Sequence, residues 1–575
     1  MTKLISIKNL SYRPTHYPVE KPDILQTINL EIEDGAFIAI IGRNGSGKTT
    51  FIKHINGLLA PTGGKVDVAE LDTSKLENLP ELRSLVGMVF QNPADQIVAS
   101  TVEEDVAFGL ENLNLPSAEI QKRVREQLEK ADLLEEAKRP PHLLSGGQIQ
   151  RLALAGVLAR QPKIILFDEP TSMLDPLTRD AFLDRICRLH RAGMTILYIT
   201  HHMEEAFLAD KIVVINQGKI FLSGKPEEIF RQSKLLHEIG LDIPEAAKYS
   251  HSFRDLGFSI PENIYSSEAL LAALPEYHGE KQSNKAKSEN GTSGKILIDM
   301  ENVHYTYLAG SPLAKKALQG ADLRVNQTVI QGLAGTNGSG KSTLLQHIIG
   351  ILRPSKGKVL VGDLDVDNPD TSLQVIVKKV GLVFQSPETQ FFESFVGDEI
   401  AFGPKQFEMD NIRDRVKNAM TLVGLDFEEY KDRRLETLSG GEKRKVALAS
   451  TLILDQEILL FDEPTAGMDP KSRDELLDLF KELQRQGKTI LIASHRLDEI
   501  AEITQAFTVM KSGRVVRTEA THDLLFNNQL IKDAGLSVPL IIQIVQRLQQ
   551  NGWPIKECEC LGIDHLIDAM KEWVQ

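Results

Sequence analysis

Cysteine is scarce, with three residues in 575: Cys187, Cys558 and Cys560. Three thiols cannot build a disulfide framework, and their scarcity fits a reducing compartment. The pair Cys558 and Cys560 has no second pair to complete a zinc site, so it reads as incidental. An excess of basic charge is also missing. Lys plus Arg total 66 against 80 Asp plus Glu, a net charge of −14. Sequence-independent nucleic-acid binding needs a basic face, so that class is disfavoured. Long hydrophobic runs are absent too. Stretches such as 37–41 and 458–461 are strand-length, well short of the roughly 18 apolar residues that a spanning helix requires. No segment is expected to cross a membrane, and the opening MTKLISIKNLSYRP lacks the apolar core of a secretion signal. What is present is an ordinary globular balance, 42% hydrophobic and 25% charged. At about 150 residues per domain the length suits three or four domains.

The chain repeats itself. GRNGSGKTT at 42–50 returns as GTNGSGKST at 335–343, and MVFQNP around Gln91 returns as LVFQSP around Gln385. LSGGQ at 144–148 returns as LSGGE at 438–442, and ILFDEPTSMLDP returns as LLFDEPTAGMDP. The loop lysines are 341 − 48 = 293 apart, whereas Gln91 and Gln385, Ser145 and Ser439, Asp168 and Asp462, and His201 and His495 are each 294 apart. One residue is therefore inserted between the first two motifs of the second half. GLDIP at 240 returns as GLSVP at 535, so the repeat unit is a whole domain plus a tail. We expect domains at 1–229 and 295–524, with tails at 230–275 and 525–575. Between the copies, 276–294 is almost devoid of apolar residues and is expected to be a flexible tether.

The apolar runs at 36–42 and 328–335 end in Gly and predict buried strands, each entering a glycine-rich turn and a helix. KIILF and MTILYIT predict further parallel strands of an α/β core. LISIKNLSYR and INLEIEDG alternate as half-buried antiparallel strands do, and the span between Gln91 and Ser145 is mostly helical in pattern.

GxxxxGK[ST] between a strand and a helix is a phosphate-binding loop. It comprises Gly42, Asn44, Gly45, Ser46, Gly47, Lys48, Thr49 and Thr50 in the first copy. In the second it comprises Gly335, Asn337, Gly338, Ser339, Gly340, Lys341, Ser342 and Thr343. Backbone N–H groups wrap the phosphates at the positive end of the helix. Lys48 and Lys341 would pair with the β- and γ-phosphates, and Thr49 and Ser342 would hold Mg²⁺. A plain glycine turn is the alternative, and two matches in context argue against it. Asp168-Glu169 and Asp462-Glu463 end apolar strands. There the Asp can reach the metal and the Glu can polarise attacking water as a general base. A solvated pair is the usual reading of Asp-Glu in a loop, but four apolar residues precede each pair and Pro follows. Ser145-Gly146-Gly147 and Ser439-Gly440-Gly441 precede basic helices and read as second anion nests. His201 and His495 close the next strands, where a γ-phosphate would lie. His202 has no counterpart, since Arg496 stands in its place.

In this order the residues resemble the nucleotide-binding domains of ABC (ATP-binding cassette) proteins over about 230 residues of each half. The resemblance implies an ATPase using ATP and Mg²⁺. Its fold would be α/β, with a RecA-like core, an antiparallel β subdomain and a helical subdomain per cassette, each followed by a small helical extension. It implies head-to-tail pairing of the two cassettes within the chain. Gln91 and Gln385 would be Q-loop residues serving metal and catalysis, Asp175 and Asp469 D-loop residues, and His201 and His495 switch histidines. One site would combine Lys48, Asp168, Glu169 and His201 with Ser439, Gly440 and Gly441. The other would combine Lys341, Asp462, Glu463 and His495 with Ser145, Gly146 and Gly147. The family stacks an aromatic ring on adenine. Tyr307 is expected there in the second copy, while the first has Pro14, with Tyr12 or Tyr17 as substitutes.

NPADQIVASTVEEDVAFGLENLNLP from Asn92, SPETQFFESFVGDEIAFGP from Ser386 and both tails resemble the ATPases of energy-coupling factor (ECF) importers. That resemblance implies a peripheral protein on the cytoplasmic face of the cell membrane. Its partners would be a transmembrane coupling subunit and a membrane-embedded substrate-binding subunit, with no nucleic acid bound. Asp95 and Glu388 are expected to receive arginines from coupling helices. A soluble tandem-cassette ATPase acting on ribosomes or nucleic acid is the alternative. It usually carries a basic linker, whereas 231–295 holds eight Lys or Arg against nine acids. Tandem sugar-importer ATPases commonly carry one degenerate site, and both sites here keep their motifs.

Overall fold

The computed structural model describes residues 3–15, 22–113, 115–172, 174–277, 294–311, 314–555 and 561–574. The expected tether, apart from its ends, lies outside the described residues, as do Tyr17, Cys558 and Cys560.

Each half is built on a six-stranded sheet whose middle strands are buried on both faces. In the first half the order is Lys219–Gly224, Lys211–Asn216, Phe37–Ile41, Thr195–Ile199, Ile164–Asp168, Val86–Val89. Every pair is parallel except the terminal hairpin. Phe37–Ile41, Ile164–Asp168 and Thr195–Ile199 are buried throughout, as continuous apolar runs in parallel sheets should be. The second half repeats the sheet with Ile330–Ala334 between Thr489–Ser494 and Ala506–Lys511. The phosphate-loop strand is thus central in both.

The two alternating segments pair antiparallel, Lys3–Tyr12 with Leu25–Glu33. Leu25, Ile28, Leu30 and Ile32 face one core while the intervening residues face out, the period of two that a one-sided sheet requires. After the Gln91 segment, helices Val102–Glu111 and Ser117–Lys130 pack on helix Gly146–Ala159 through Val106, Leu110, Leu128 and Leu152. That insertion carries the Ser-Gly-Gly loop.

The tails join the halves. Tyr249, Phe253 and Leu270 of the first tail share one apolar core with Val545, Leu548 and Trp553 of the second and with Phe480 and Ile500 of the second cassette. Asn551 Nδ2 donates to the carbonyls of Leu274 and Pro275 at 3.0 and 3.2 Å, and Trp553 Nε1 donates to Pro275 at 2.9 Å. The Trp553 ring meets Phe258 at 5.4 Å and Tyr277 at 5.2 Å. Glu245 is partly buried in this seam and accepts from Tyr249 Oη at 2.5 Å. Burial, then the charges of Asp498 and Glu204, push its carboxyl up to about 7.

Cutting the chain after Lys285 should leave two fragments that co-elute at micromolar concentration without ATP. Burying a large aromatic contributes about 3–5 kcal/mol, so Trp553→Ala should weaken the cut complex by about two to four orders of magnitude. Separation of the unsubstituted fragments in gel filtration would refute the shared core. Glu245 binds its proton more tightly folded than unfolded, so its contribution to stability falls as pH rises from its ordinary range through about 7. Glu245→Gln should therefore raise the thermal midpoint at about pH 8 and leave it unmoved at about pH 4, read by calorimetry.

Candidate functional site

At the end of Phe37–Ile41 the chain must turn sharply into helix Lys48–Ile55, and only glycine fits the turn. Gly47 has φ 103, and a Cβ there would lie 2.8 Å from Leu25 Cδ2. Gly340 repeats the geometry at φ 106 before Lys341–Ile348. Lys48 Nζ donates to the carbonyls of Gly42 and Arg43 at 2.7 and 3.0 Å, and Lys341 Nζ to Gly335 and Thr336 at 2.7 and 3.2 Å. Both lysines are buried inside their loops, facing the positions the sequence reserves for phosphate.

The carboxylate pairs end the second strand along from the loop strand, with one strand between, and are buried. Thr49 Oγ1 donates to Asp168 Oδ1 at 3.0 Å. Burial, then the neighbouring Glu169 charge, raises Asp168 to about 6; burial dominates at Asp462 as well, also to about 6. Asp462 Oδ1 is buried without a hydrogen-bond partner. Hydroxyl and carboxylate oxygens are the donors a hard divalent cation prefers, so both sets fit Mg²⁺.

Glu169 and Glu463 occupy the left-handed backbone region, φ 46 and 48, a conformation that costs of order 1–3 kcal/mol for a non-glycine residue. Backbone bonds hold them there: Glu169 N donates to Ile199 O at 3.1 Å and Glu463 N to Ala493 O at 2.9 Å. His201 Nε2 lies 2.5 Å from Glu169 Oε1, and His495 Nδ1 lies 2.9 Å from Glu463 Oε1. Burial alone would push both glutamates up. The histidine beside each outweighs it, helped by Lys48 and Gln91 in one site and Lys341 in the other, and both stay below the usual range.

The two sites hold their glutamates differently. Gln91 Nε2 donates to Glu169 Oε2 at 2.9 Å. In the second half Lys341 Nζ lies 3.4 Å from Glu463 Oε1, and Gln385 is engaged through its backbone carbonyl.

Ser145 and Ser439 cap helices Gly146–Ala159 and Gly440–Leu452, each in a reciprocal box with Gln148 or Glu442. Asn44 Nδ2 donates to Gly467 O of the other half at 3.3 Å. A Cβ on Gly441 would lie 3.9 Å from that same Asn44 atom. Asp469 acts on Lys48 electrostatically, though burial dominates and lowers the lysine. The first phosphate loop therefore faces the second Ser-Gly-Gly loop and its Asp469 segment. Gly147 packs on Thr178 of its own half, and Asp175 caps helix Pro176–Arg191. His202 is held well below its ordinary value by burial, then by Arg179 and Arg496, and stays neutral.

Tyr307 Oη lies 3.2 Å from Thr343 Oγ1, beside the second phosphate loop. Tyr12 does not occupy the matching place. Its ring packs edge-on against His54 at 4.8 Å, as Tyr305 packs against His347 at 4.9 Å, so its counterpart is Tyr305. The spacing agrees: 305 − 12 = 293 is the offset of the loop lysines, and the same offset puts Pro14 opposite Tyr307. Asn92 Nδ2 donates to Asp95 at 2.9 Å and Lys443 pairs with Glu388 at 3.2 Å, and both carboxylates stay at the surface. Motif reading also missed Glu205, a buried acid that accepts from Thr171, Arg179, Tyr198 and Thr200 at 2.6–2.8 Å. Its counterpart Glu499 takes Thr465 and Arg496, and the constant offset of 294 was the available signal.

Residues 25–172 and 318–466 match the protein family described as ABC transporter. An ABC transporter ATP-binding protein of Caldanaerobacter subterraneus subsp. tengcongensis is 32% identical over 96% of this chain and 98% of its own length. One from Methanosarcina mazei is 32% identical over 96% and 95%. The energy-coupling factor transporter ATP-binding protein EcfA1 of the same Caldanaerobacter is 45% identical over 47% of this chain and 98% of its own. A solved protein, cbiO1 of Clostridium perfringens, is 32% identical over 44% of this chain and 99% of its own, at a TM-score of 0.37. With two matched regions, relatives aligned along its whole length and buried phosphate-loop and carboxylate sets in both halves, the chain belongs to the ABC transporter family and carries two of its ATP-hydrolysing cassettes.

Proposed function

We propose that this chain is the energising subunit of an ECF-type importer, with both catalytic sites built from its own two halves. The observation that carries the site assignment is the buried Asp-Glu pair of each half, with the glutamate in contact with a strand-end histidine. Lys48 and Lys341 neutralise the terminal phosphates. Thr49 and Asp168, and Ser342 and Asp462, would hold Mg²⁺, with Gln91 and Gln385 as further ligands, and the ion would supply charge neutralisation on the transferring phosphoryl group. Glu169 and Glu463, kept ionised, accept the proton of the attacking water. His201 and His495 hold those carboxylates and sense the γ-phosphate. The Asn44 contact to Gly467 supports a head-to-tail pair, in which ATP on the first loop is closed over by Ser439, Gly440 and Gly441. The mirror arrangement places Ser145, Gly146 and Gly147 over the second loop. Tyr307 stacks on adenine in the second site.

The half-length likeness to an energy-coupling factor ATPase favours the importer reading, with a transmembrane coupling subunit and a membrane-embedded binding subunit as partners. Among the described residues no helix is long and apolar enough to cross a membrane, so attachment would be peripheral. Val98 and Phe392, at matching places after the two Gln segments, are 62% and 76% exposed, and exposed apolar residues at equivalent positions suit two coupling helices.

Glu169→Gln with Glu463→Gln should slow hydrolysis about 10²- to 10⁴-fold while fluorescent ATP analogues still bind. Near-normal turnover would reject both bases. Val98→Glu with Phe392→Glu should release the chain from native membranes in flotation while the released protein still hydrolyses ATP. Undiminished flotation would reject this docking face.

A further inference from the structure

Beyond the motif residues, one partly buried cation of the second half stands where the first half has an uncharged residue. Arg444 sits on the first turns of helix Gly440–Leu452, the helix capped by Ser439. Its Nη1 donates to the carbonyls of Pro464, at 3.1 Å, and Ala466, and its Nη2 donates to the carbonyl of Gln385 at 3.3 Å. Pro464 follows Glu463 directly, so its carbonyl lies one peptide beyond the left-handed residue. One planar guanidinium thus bridges the Gln385 loop and the segment after Glu463, a geometry that a lysine's single ammonium cannot match. Burial lowers the group only to about 10, so it is charged at neutral pH.

The same position in the first half, 444 − 294 = 150, is Gln150. Gln150 is 2% exposed and its Nε2 has no hydrogen-bond partner. There the glutamate is held by the Gln91 side chain instead, and Ser172 Oγ caps the Glu169 carbonyl at 3.0 Å.

We infer that Arg444 is a positioning residue for Glu463 and Gln385, and that it makes turnover at the Lys341 site depend on how helix Gly440–Leu452 is seated. That helix begins in the Ser-Gly-Gly loop facing Asn44 of the Lys48 site. Occupancy of the Lys48 site is thereby transmitted to the glutamate of the Lys341 site, and Gln150 provides no return path of this kind. The two sites are kinetically unequal by construction. Binding coupling must still be reciprocal, but a rate effect need not be.

The inference rests on Glu169 and Glu463 being the bases of two sites. It is tested in the full chain by single-turnover hydrolysis of radiolabelled ATP, which resolves slow rates. Glu169→Gln isolates the Lys341 site and Glu463→Gln isolates the Lys48 site. Arg444→Gln, the residue the first half already carries, should slow the Glu169→Gln chain about tenfold, within the span of coupling substitutions. It should change the Glu463→Gln chain less than about twofold, with ATP affinity held in both. Arg444→Lys should fall between Arg and Gln. An equal loss in both backgrounds would mean a general structural role and overturn the inference, as would no loss in the Glu169→Gln chain or full function with Lys. If neither Glu→Gln substitution slows its own site, the site assignment falls and the inference with it.

Discussion

Two adjacent carboxylates buried at the end of an interior strand are the constraint around which each half is arranged. Asp168 and Glu169, and Asp462 and Glu463, are nearly inaccessible to water, and buried anions require compensation. The loop lysine is the nearest cation, itself held by two carbonyls of the turn that strand and glycines create. The strand-end histidine supplies a second partner. What the protein leaves partly unmet is informative: burial and mutual repulsion raise Asp168, and Asp462 keeps an unbonded oxygen. Such a carboxyl is prepared for a cation and for the phosphates that accompany it.

Strain accompanies that charge. Both glutamates occupy left-handed backbone, and both are pinned by a bond to the neighbouring strand. A conformation that is costly locally persists because the parallel sheet around it is rigid and fully buried. The second layer differs between copies. The first uses the Gln91 side chain, while the second uses Lys341 and an arginine that grips backbone carbonyls. Duplication preserved the reacting groups and let their supports diverge.

The halves are joined at two unlike places. At the phosphate loops the halves meet through a polar contact between Asn44 and Gly467. At the tails the contact is an apolar core closed by Trp553 and Pro275. An apolar seam at the tails is costlier to open than a polar one at the loops, the kind of asymmetry that hinges use.

The sequence by itself determined the duplication, the α/β class, the strands that carry the loops and the residue types at each site. Those features are local: a run of buried apolar residues, glycines at positive φ, a hydroxyl after a lysine, all at fixed spacing. Only the tertiary structure decided which partner each group found. The ring of Tyr12 packs on His54, as that of Tyr305 packs on His347, and not in the place that Tyr307 takes. Glu388 pairs with Lys443, 55 positions away, at the surface. Arg444 looked like one more basic residue in a basic helix, and Glu205 like one of two acids in a row. Their roles come from carbonyls and hydroxyls between 20 and 59 positions away for Arg444 and up to 34 for Glu205. Backbone carbonyls carry no sequence signature, and burial is a property of the packed chain, so neither could be read before the fold brought them together.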